Sequence, residues 1–532
     1  MEYILILTGL VIVICVLSGR LISRLAVPSL LFFILLGMLF GTDGLLKIQF
    51  NDYRTTETIC SLSLIFIIFY GGFGTNLKQA KPVIAQSAVL STLGVAAAAA
   101  AVGLFAHMVL GLPWIESLLI GSVISSTDAA SVFNILRSKK LGLKYNTASM
   151  LELESGSNDP MSYMLTAACI SMMMGDSVSI PLHLMLQLGA GLICGIIAGK
   201  TAVYIMNRTI LSVDEGRTIL TVATAILCFS VTEMLGGNGY LAVYLCGILL
   251  GNASFPDKRN IVHFFDVITS IAQMLIFFLL GLLVTPSRLP EVLVPAALIM
   301  VFLTLIARPL SVAILLLPFK AGIRQIGLVS WCGLRGAASI VFAIMAVLSN
   351  AATRYDMFNL VFCIVLLSIS VQGTLLPVVS KSLSMIDRDT DIRKTFNDYE
   401  AESTISFVKT HVNEGHVFCG KYVRQLELPP EIIIVMILRN KDEKIIPNGN
   451  TLIEKGDLLI MAAPDFSDGD ELMLHERNVQ KGDKAVGKKL RDMRMEKDTL
   501  IVSVRRGEKT FIPDGNTVLE ENDVLFVARF GA

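Results

Sequence analysis

The sequence predicts an all-α polytopic membrane protein of about 13 transmembrane helices, with inverted repeats and two broken crossing helices, followed by small cytoplasmic α/β domains in tandem. Three observations support this prediction. Apolar residues make up 54% of the 532 residues and are massed before about residue 383 in runs of 18 or more. Such runs are long enough to cross a bilayer. Charged residues are concentrated in the remaining part of the chain, which also contains an internal duplication.

These features predict a transmembrane domain at residues 1–383, a linker at 384–402, and tail domains at 403–466 and 467–532. The first apolar segment lacks a preceding basic residue and a cleavage pattern, so we expect a retained helix rather than a signal peptide. Thirteen spans are predicted, near residues 3–19, 26–46, 56–72, 83–109, 114–135, 148–174, 180–206, 217–235, 238–252, 262–284, 290–318, 324–349 and 356–383.

Basic residues indicate how the spans are oriented. The loops that follow odd-numbered spans contain fourteen Lys and Arg residues, whereas the opposite loops contain four. Because cytoplasmic loops carry an excess of basic residues, we expect the N-terminus outside and the tail in the cytoplasm. The predicted location is therefore the bacterial plasma membrane, with the lipid bilayer as a partner of the multi-pass domain.

Composition and spacing argue against several other classes of protein. Eight of the nine cysteines lie in apolar stretches without CxxC spacing, so neither a disulfide framework nor a zinc site is expected. The formal net charge is zero, which argues against a nucleic-acid partner. The sequence shows no set of nucleophile, base and orienting residue, so we expect that the protein is not an enzyme and needs no cofactor for catalysis.

Two predicted spans are interrupted by small and polar residues. The fifth is broken at residues 125–130 and the twelfth at residues 333–338, and the two spans run in opposite directions because they are seven spans apart. Interrupted helices at corresponding places in inverted halves indicate a secondary transporter with a site at the membrane midplane. The alternative interpretation of each break is close helix packing through small residues.

Asp159 is the central candidate because it lies in an apolar segment, where ionisable groups indicate an ion or proton pathway. At about 1.5 Å per residue, Asp159 and Arg335 should each lie about 16 Å deep in a hydrocarbon core about 30 Å thick. Two other charged residues of the spans, Arg308 and Glu233, are predicted to be structural.

The residues around Asp159 predict a site for a monovalent cation. Ser155 and Asp159 are four residues apart and share a helix face, which Glu152 extends. A hydroxyl and a carboxylate are hard oxygen ligands, and unwound carbonyls near Thr127 could complete the shell. Since burial favours the protonated carboxyl and a bound cation favours the ionised one, Asp159 would hold one or the other. This mutual exclusion is what exchange requires.

The other charges have separate predicted roles. Arg335 needs a buried partner, and Glu154 at similar depth is predicted to form an ion pair with it. Asn158 is neutral where a second acid could have stood, which favours electroneutral exchange. For Asp128 two roles stay open: it would offset the positive N-terminal end of a half-helix, or it would be a second ligand.

At these residues the sequence resembles the NhaP-type monovalent cation:proton antiporters, family one of the cation:proton antiporters. The resemblance implies that Asp159 is the exchanging carboxylate and that Arg335 pairs with Glu154. It also implies one-for-one exchange and a thirteen-helix homodimer with a mobile core domain and a static dimerisation domain. The matching elements, which also imply that Glu154, Ser155 and Thr127 line the site, are Thr127-Asp128, Glu154-Ser155 followed by Asn158-Asp159, and Gly333-Leu334-Arg335-Gly336.

The tail contains two copies of one small domain. Residues 420–426 recur as 487–493 and residues 446–451 recur as 512–517, at offsets of 67 and 66. Strand and turn signals in each copy predict an α/β fold, and both copies resemble TrkA-C domains, the C-terminal lobes of regulators of potassium conductance (RCK-C).

The predicted role of the tail follows from this resemblance. No Gly-x-Gly-x-x-Gly motif follows a strand in the tail, so NAD binding is not expected. We expect the tail to dimerise and to regulate transport, with a cyclic dinucleotide as a candidate regulatory ligand. The alternative is a folded tail that only holds the dimer together.

The predicted function is exchange of a monovalent cation for protons, in support of pH homeostasis. K⁺ is favoured because TrkA-C-like lobes accompany potassium systems, and Na⁺(Li⁺)/H⁺ exchange is the alternative. A different class is a ligand-gated cation channel or membrane sensor. That class would conduct without proton coupling and would suit a repeated carbonyl filter, which the sequence lacks.

Overall fold

The chain forms a helical unit followed by a smaller unit rich in strands. In the computed structural model, contacts divide it into Met1–Tyr399 and Glu400–Ala532. The residues that the structure describes are 9, 13–14, 29–128, 131–132, 135–136, 141–175, 179–208, 215–253, 255, 258–349, 351, 353–387, 405–414, 416–426, 428–429, 432–439, 443–464, 472–479, 486–492, 499–506, 509–511, 513–521 and 523–530.

Fourteen helices account for most of the described part of the first unit. They are α1 Ser29–Phe40, α2 Tyr53–Gly74, α3 Leu77–Ala80, α4 Ile84–Leu110, α5 Trp114–Val123, α6 Thr147–Met174, α7 Ile180–Arg208, α8 Gly216–Met234, α9 Gly239–Asn252, α10 Lys258–Leu283, α11 Pro286–Phe319, α12 Ile323–Trp331, α13 Ala337–Leu348 and α14 Met357–Ser382. Short-range signals start several of them: the side chains of Asp52, Asn238 and Asp356 cap α2, α9 and α14.

Among the described residues, seven helices are long and apolar enough to cross a membrane, namely α2, α4, α7, α8, α10, α11 and α14. Four shorter apolar helices, α1, α5, α9 and α13, lie among them. Twelve of the predicted spans coincide with described helices, and the first, at residues 3–19, lies almost wholly outside the described residues. The predicted fold class is confirmed, and the total of thirteen spans stays a prediction.

Glycine allows close helix pairing in the first unit. Gly247 and Gly251 are one turn apart on α9, and a Cβ atom on either would overlap the backbone carbonyl of Phe69 or Phe73 on α2. Small residues at this spacing let two membrane helices approach until their backbones touch. The helices α2 and α9 are therefore packed as a pair.

One short ribbon joins two loops of the first unit. Strand β1, Gly142–Leu143, pairs antiparallel with β2, Ile386–Asp387, and the amide of Lys144 donates to the carbonyl of Met385 at 3.0 Å. The strand β1 lies just before α6, and β2 lies just after α14. The predicted linker at residues 384–402 begins here, and residues 388–402 lie outside the described residues, so the predicted domain boundaries stay predictions.

The tail contains two four-stranded antiparallel sheets of the same topology. The first has the order β3-β6-β4-β5 and the second the order β7-β10-β8-β9. One 3-10 turn accompanies each sheet, at Val423–Gln425 and Leu490–Asp492. The strands are β3 Ile405–His411, β4 Ile433–Arg439, β5 Glu443–Ile445, β6 Leu458–Pro464, β7 Leu472–Asn478, β8 Thr499–Arg506, β9 Lys509–Phe511 and β10 Val524–Phe530.

The same buried ion pair holds each sheet to the turn beside it. In the first copy, Arg439 donates two hydrogen bonds to the fully buried carboxylate of Asp457, at 2.9 and 2.8 Å. In the second copy, Arg506 donates to Asp523 at 2.8 Å through both bonds. Burial opposes ionisation of Asp457, but the hydrogen bonds and charge of Arg439 and the amide of Glu454 outweigh it and lower the pKa of Asp457.

We predict that Arg439→Met destabilises the first tail domain by about 3 kcal/mol, because the Asp457 carboxylate stays buried without its cation. Since the folded state lowers the pKa of Asp457, the pair adds stability above the unfolded pKa of about 3.9 and loses it as pH falls through the folded pKa. Amide hydrogen exchange of the full chain at pH 7 should show protection of β4 and β6 reduced about 100-fold.

The matched control is Lys455→Met, which removes an ion pair to Glu414 whose side chains are 59% and 83% exposed. Exposed pairs contribute under about 1 kcal/mol, so protection should hardly change. Equal losses of protection in the two variants would contradict the assignment of the buried pair as the stabilising one.

Candidate ion-binding site

The two interrupted spans of the first unit meet at their breaks. Helix α5 ends at Val123 and residues 126–128 have no regular secondary structure, while α12 ends at Trp331 and α13 begins at Ala337. The amide of Asp128 donates to the carbonyl of Leu334 at 2.8 Å, so the two unwound segments touch through their backbones. Both predicted breaks are present, and residues 129–130 of the first lie outside the described residues.

Arg335 satisfies the carbonyl groups that the first break frees. Its Nη1 donates to the carbonyls of Ser125 and Ser126 at 2.6 and 2.7 Å, and the residue is 1% exposed. A helix end leaves its last carbonyls without partners inside the helix, and a guanidinium offers several donors in a fixed geometry. The amide of Arg335 donates to Ser368 Oγ at 3.1 Å, in a π-helical turn of α14. Arg335 therefore fixes the crossing.

The predicted ion pair between Glu154 and Arg335 is wrong. Glu154 Oε1 instead accepts from Arg308 Nη2 at 2.7 Å, with both side chains 2% exposed. A π-helical turn, Leu303–Ala307, directly precedes Arg308, whose side chain packs against Gly333 of the second break. Depth along the membrane was similar for Arg335 and Glu154, but the unwound backbone turns Arg335 towards the carbonyls of the first break.

Helix α6 brings three of the predicted site residues together. Ser155 Oγ donates to the carbonyl of Thr127 at 2.6 Å, and Asn158 Nδ2 donates to the hydroxyl of Thr127. Asn158 Oδ1 is buried and has no hydrogen-bond partner among the described residues. Oxygen atoms of Ser155, Thr127 and Asn158 therefore line one side of the crossing, and no described residue donates to Asn158 Oδ1.

Asp159 lies one residue beyond this group and differs from it in exposure. Its Oδ1 accepts a hydrogen bond from the hydroxyl of Ser126, and the residue is partly exposed. Glu154, Ser155 and Asn158 are at most 7% exposed. Sequence reasoning did not single out Ser126 as a site residue, although a hydroxyl inside the break was a usable signal.

The structure favours one of the two roles that were open for Asp128. Its carboxylate accepts from the amide of Ser131 at 3.2 Å and from the Ser131 hydroxyl. The carboxylate also lies against Gly336, where a Cβ atom would clash with it. Because α13 begins at Ala337, Asp128 lies at the positive end of that helix, as expected for a residue that offsets a half-helix dipole.

Comparison with known proteins gives the family of each part. The sodium/hydrogen exchanger transmembrane model matches residues 9–382, and the TrkA-C domain model matches residues 411–465 and 474–528. Two solved structures of the sodium proton antiporter MjNhaP1 from Methanocaldococcus jannaschii share the fold of the first unit. The one determined at pH 8 has a TM-score of 0.64 and 24% identity, and the match covers 72% of this chain and 99% of that chain.

Curated relatives agree with the family models. The chain is 37% identical over 380 residues to the K(+)/H(+) antiporter NhaP of Alkalimonas amylolytica, covering 71% of this chain and 66% of that protein. It is 31% identical to the K(+)/H(+) antiporter NhaP2 of Shewanella baltica, over 86% of this chain and 80% of that protein. It is 27% identical to the Na(+)/H(+) antiporter 1 of Methanocaldococcus jannaschii, over 64% and 81%. The chain therefore belongs to the transmembrane sodium/hydrogen exchanger family, with two TrkA-C domains in its tail.

Proposed function

We propose that this protein exchanges a monovalent cation for protons at Asp159, with K⁺ favoured over Na⁺. The observation that carries the proposal is that Asp159, a partly exposed acidic residue, lies beside the crossing of two unwound segments. A carboxylate that is protonated cannot also neutralise a cation, so the two occupants exclude each other. A carrier that must be loaded with one or the other exchanges them. The protein has no enzymatic role in this proposal.

The ligands of the cation would come from both α6 and the first break. Asp159 supplies charge, and Ser155, Thr127 and Asn158 supply neutral oxygen atoms. Hard oxygen ligands suit alkali cations. The side-chain amide of Asn158 acts as a donor through Nδ2 and leaves Oδ1 for a cation. Asp128 stays with the helix end of α13 and is a secondary candidate.

One-for-one electroneutral exchange follows from the count of titrating groups in this site. A single carboxylate has the same charge whether it binds one proton or one monovalent cation. Asn158 adds no titrating group, and Glu154 is committed to Arg308. The carrier therefore crosses the membrane with equal charge in each direction. The opposed breaks in α5 and α12–α13 suit alternating access, because movement about a fixed crossing opens the site to each side in turn.

The preference for K⁺ rests on two supports. The relatives with 31–37% identity are named K(+)/H(+) antiporters, and the relative with 27% identity is named a Na(+)/H(+) antiporter. TrkA-C-like domains are present in the tail. In the same proposal the protein is a homodimer in the bacterial plasma membrane, its tail is cytoplasmic, and a small ligand such as a cyclic dinucleotide acts on the tail.

We predict that Asp159→Asn abolishes cation-dependent proton movement in proteoliposomes, because an amide neither titrates nor balances a cation. Proton movement is measured as dequenching of a pH-sensitive dye across a pH series. The cations compared are K⁺, Na⁺, Li⁺ and Rb⁺. The wild-type protein should respond to K⁺ at lower concentration than to Na⁺. Ser157→Ala is the matched control on the same helix, since among the described residues Ser157 bonds to the carbonyls of Leu153 and Glu154. Exchange that survives in Asp159→Asn would refute the proposal.

We predict that Arg308→Gln lowers thermal stability by about 3–5 kcal/mol, because it strands the buried Glu154 carboxylate. Adding Glu154→Gln should recover part of the loss, since the stranded charge disappears. Adding Glu154→Gln to Arg335→Gln should recover nothing, because Arg335 binds backbone carbonyls. Thermal unfolding of the purified single and double variants measures the two coupling energies. A larger coupling of Glu154 to Arg335 would contradict the observed pairing.

We predict that removing residues 400–532 leaves exchange intact but changes its dependence on pH or on cyclic dinucleotides. The physical reason is that the ion-binding residues all lie in the unit Met1–Tyr399. Exchange by the truncated and full-length proteins is compared in the same dye assay, with thermal unfolding as the folding control. A truncated protein that has a normal thermal unfolding transition but shows no exchange would argue against a purely regulatory tail.

A further inference from the structure

A second carboxylate contacts the same face of α6 that carries Asp159. Tyr163 lies four residues after Asp159 and therefore about one turn, or roughly 6 Å, along the helix on the same face. The hydroxyl of Tyr163 donates to Glu233 Oε2 at 3.2 Å. Glu233 belongs to α8, so this bond connects the helix of the ion site to a neighbouring helix.

Glu233 is held in a position that attracts cations. It lies in the last turn of α8, where the helix carbonyls concentrate negative charge and no basic residue balances it. Its Oε1 accepts from the amide of Gly239 at 2.9 Å, which fixes the carboxylate at the turn between α8 and α9. Glu233 is only partly buried. A carboxylate in such a field and within reach of water draws cations from solution.

Tyr240 connects the turn that holds Glu233 to α6 by a second contact. It is 3% exposed, and its ring lies 5.2 Å from that of Tyr163 in an edge-to-face arrangement. Tyr240 directly follows Gly239, whose amide binds Glu233, so the start of α9 contacts both Glu233 and Tyr163.

Exposure along α6 indicates from which side this region opens. Residues 147–155, at the N-terminal end of α6, are all buried, whereas Gly156, Asp159 and Tyr163 are partly exposed. Glu57 and Glu233 are partly exposed as well. Glu233 lies in the last turn of α8, and Glu57 lies near the start of α2. The distribution of basic residues predicts that both positions are on the extracellular side. Tyr163 and its partner Glu233 therefore lie on the predicted extracellular side of Asp159.

We propose that Glu233 recruits the cation on the extracellular side and passes it along the Tyr163 hydroxyl to Asp159. This inference rests on the proposed exchange at Asp159. Glu233 is then a positioning residue for transport, and its loss acts on one side of the membrane. A merely structural Glu233, which only holds α6 to the α8–α9 turn, would instead alter stability and would affect both sides alike.

The test is Glu233→Gln in the full chain, measured in right-side-out and inside-out membrane vesicles with K⁺ as the probe. Glutamine keeps an oxygen acceptor for the Gly239 amide and removes the charge, and its amide nitrogen donates to the Tyr163 hydroxyl where Glu233 accepted from it. The half-saturating K⁺ concentration should rise about tenfold when K⁺ is presented on the extracellular side, with the maximal rate within about twofold. The half-saturating K⁺ concentration should stay unchanged when K⁺ is presented on the cytoplasmic side. Tyr163→Phe should give a smaller one-sided shift, because it removes a hydroxyl and no charge.

Glu291→Gln is the matched control, since Glu291 is an exposed acid near the start of α11 on the same predicted side. It should change neither constant. If Glu233→Gln shifts the half-saturating K⁺ concentration equally on both sides, or on neither side, the inference is overturned. Exchange by the wild-type protein in the same vesicles would still support the proposed function. Absence of exchange in wild-type vesicles for every cation would overturn both.

Discussion

The contact between Arg335 and the carbonyls of Ser125 and Ser126 is the interaction on which the ion site depends. Unwinding a helix inside a bilayer frees backbone groups that lipid cannot satisfy. The guanidinium meets two of these groups, and the amide of Asp128 meets the carbonyl of Leu334 from the other break. Each broken helix thus supplies partners for the other. Without these hydrogen bonds, neither unwound segment would be stable within the membrane.

The distribution of charge around the crossing separates structural acids from the acid that is proposed to transport. Glu154 is buried against Arg308, and Asp128 lies at the start of α13. Both carboxylates therefore have a fixed role in holding the breaks. Asp159 is partly exposed and bound by the hydroxyl of Ser126. A neutral hydroxyl can adapt to either occupant of a carboxylate, whereas a guanidinium would keep it permanently ionised and so oppose protonation.

Helix α9 contacts two helices near the site, α2 and α6, in different ways. The glycines of α9 bring it against the backbone of α2, which makes that pair compact. The residue that caps α9 also binds α6, since Asn238 Nδ2 donates to the carbonyl of Pro160 at 2.8 Å. In the tail, Arg439 pairs with Asp457 in the first copy, and Arg506 pairs with Asp523 in the second. The two copies therefore contain the same buried ion pair at equivalent positions.

The sequence by itself determined twelve helical spans of the described residues, the two breaks and the tail duplication, because these depend on apolar length, small-residue interruptions and internal repetition. It also identified the family through short motifs, each made of residues that are near neighbours along the chain. Only the tertiary structure decided that Glu154 pairs with Arg308, that Arg335 binds carbonyls, and that Ser126 contacts Asp159. Counting residues along a helix gives depth but not the direction in which an unwound segment turns its side chains. That direction is set by which backbone groups of a distant segment need partners.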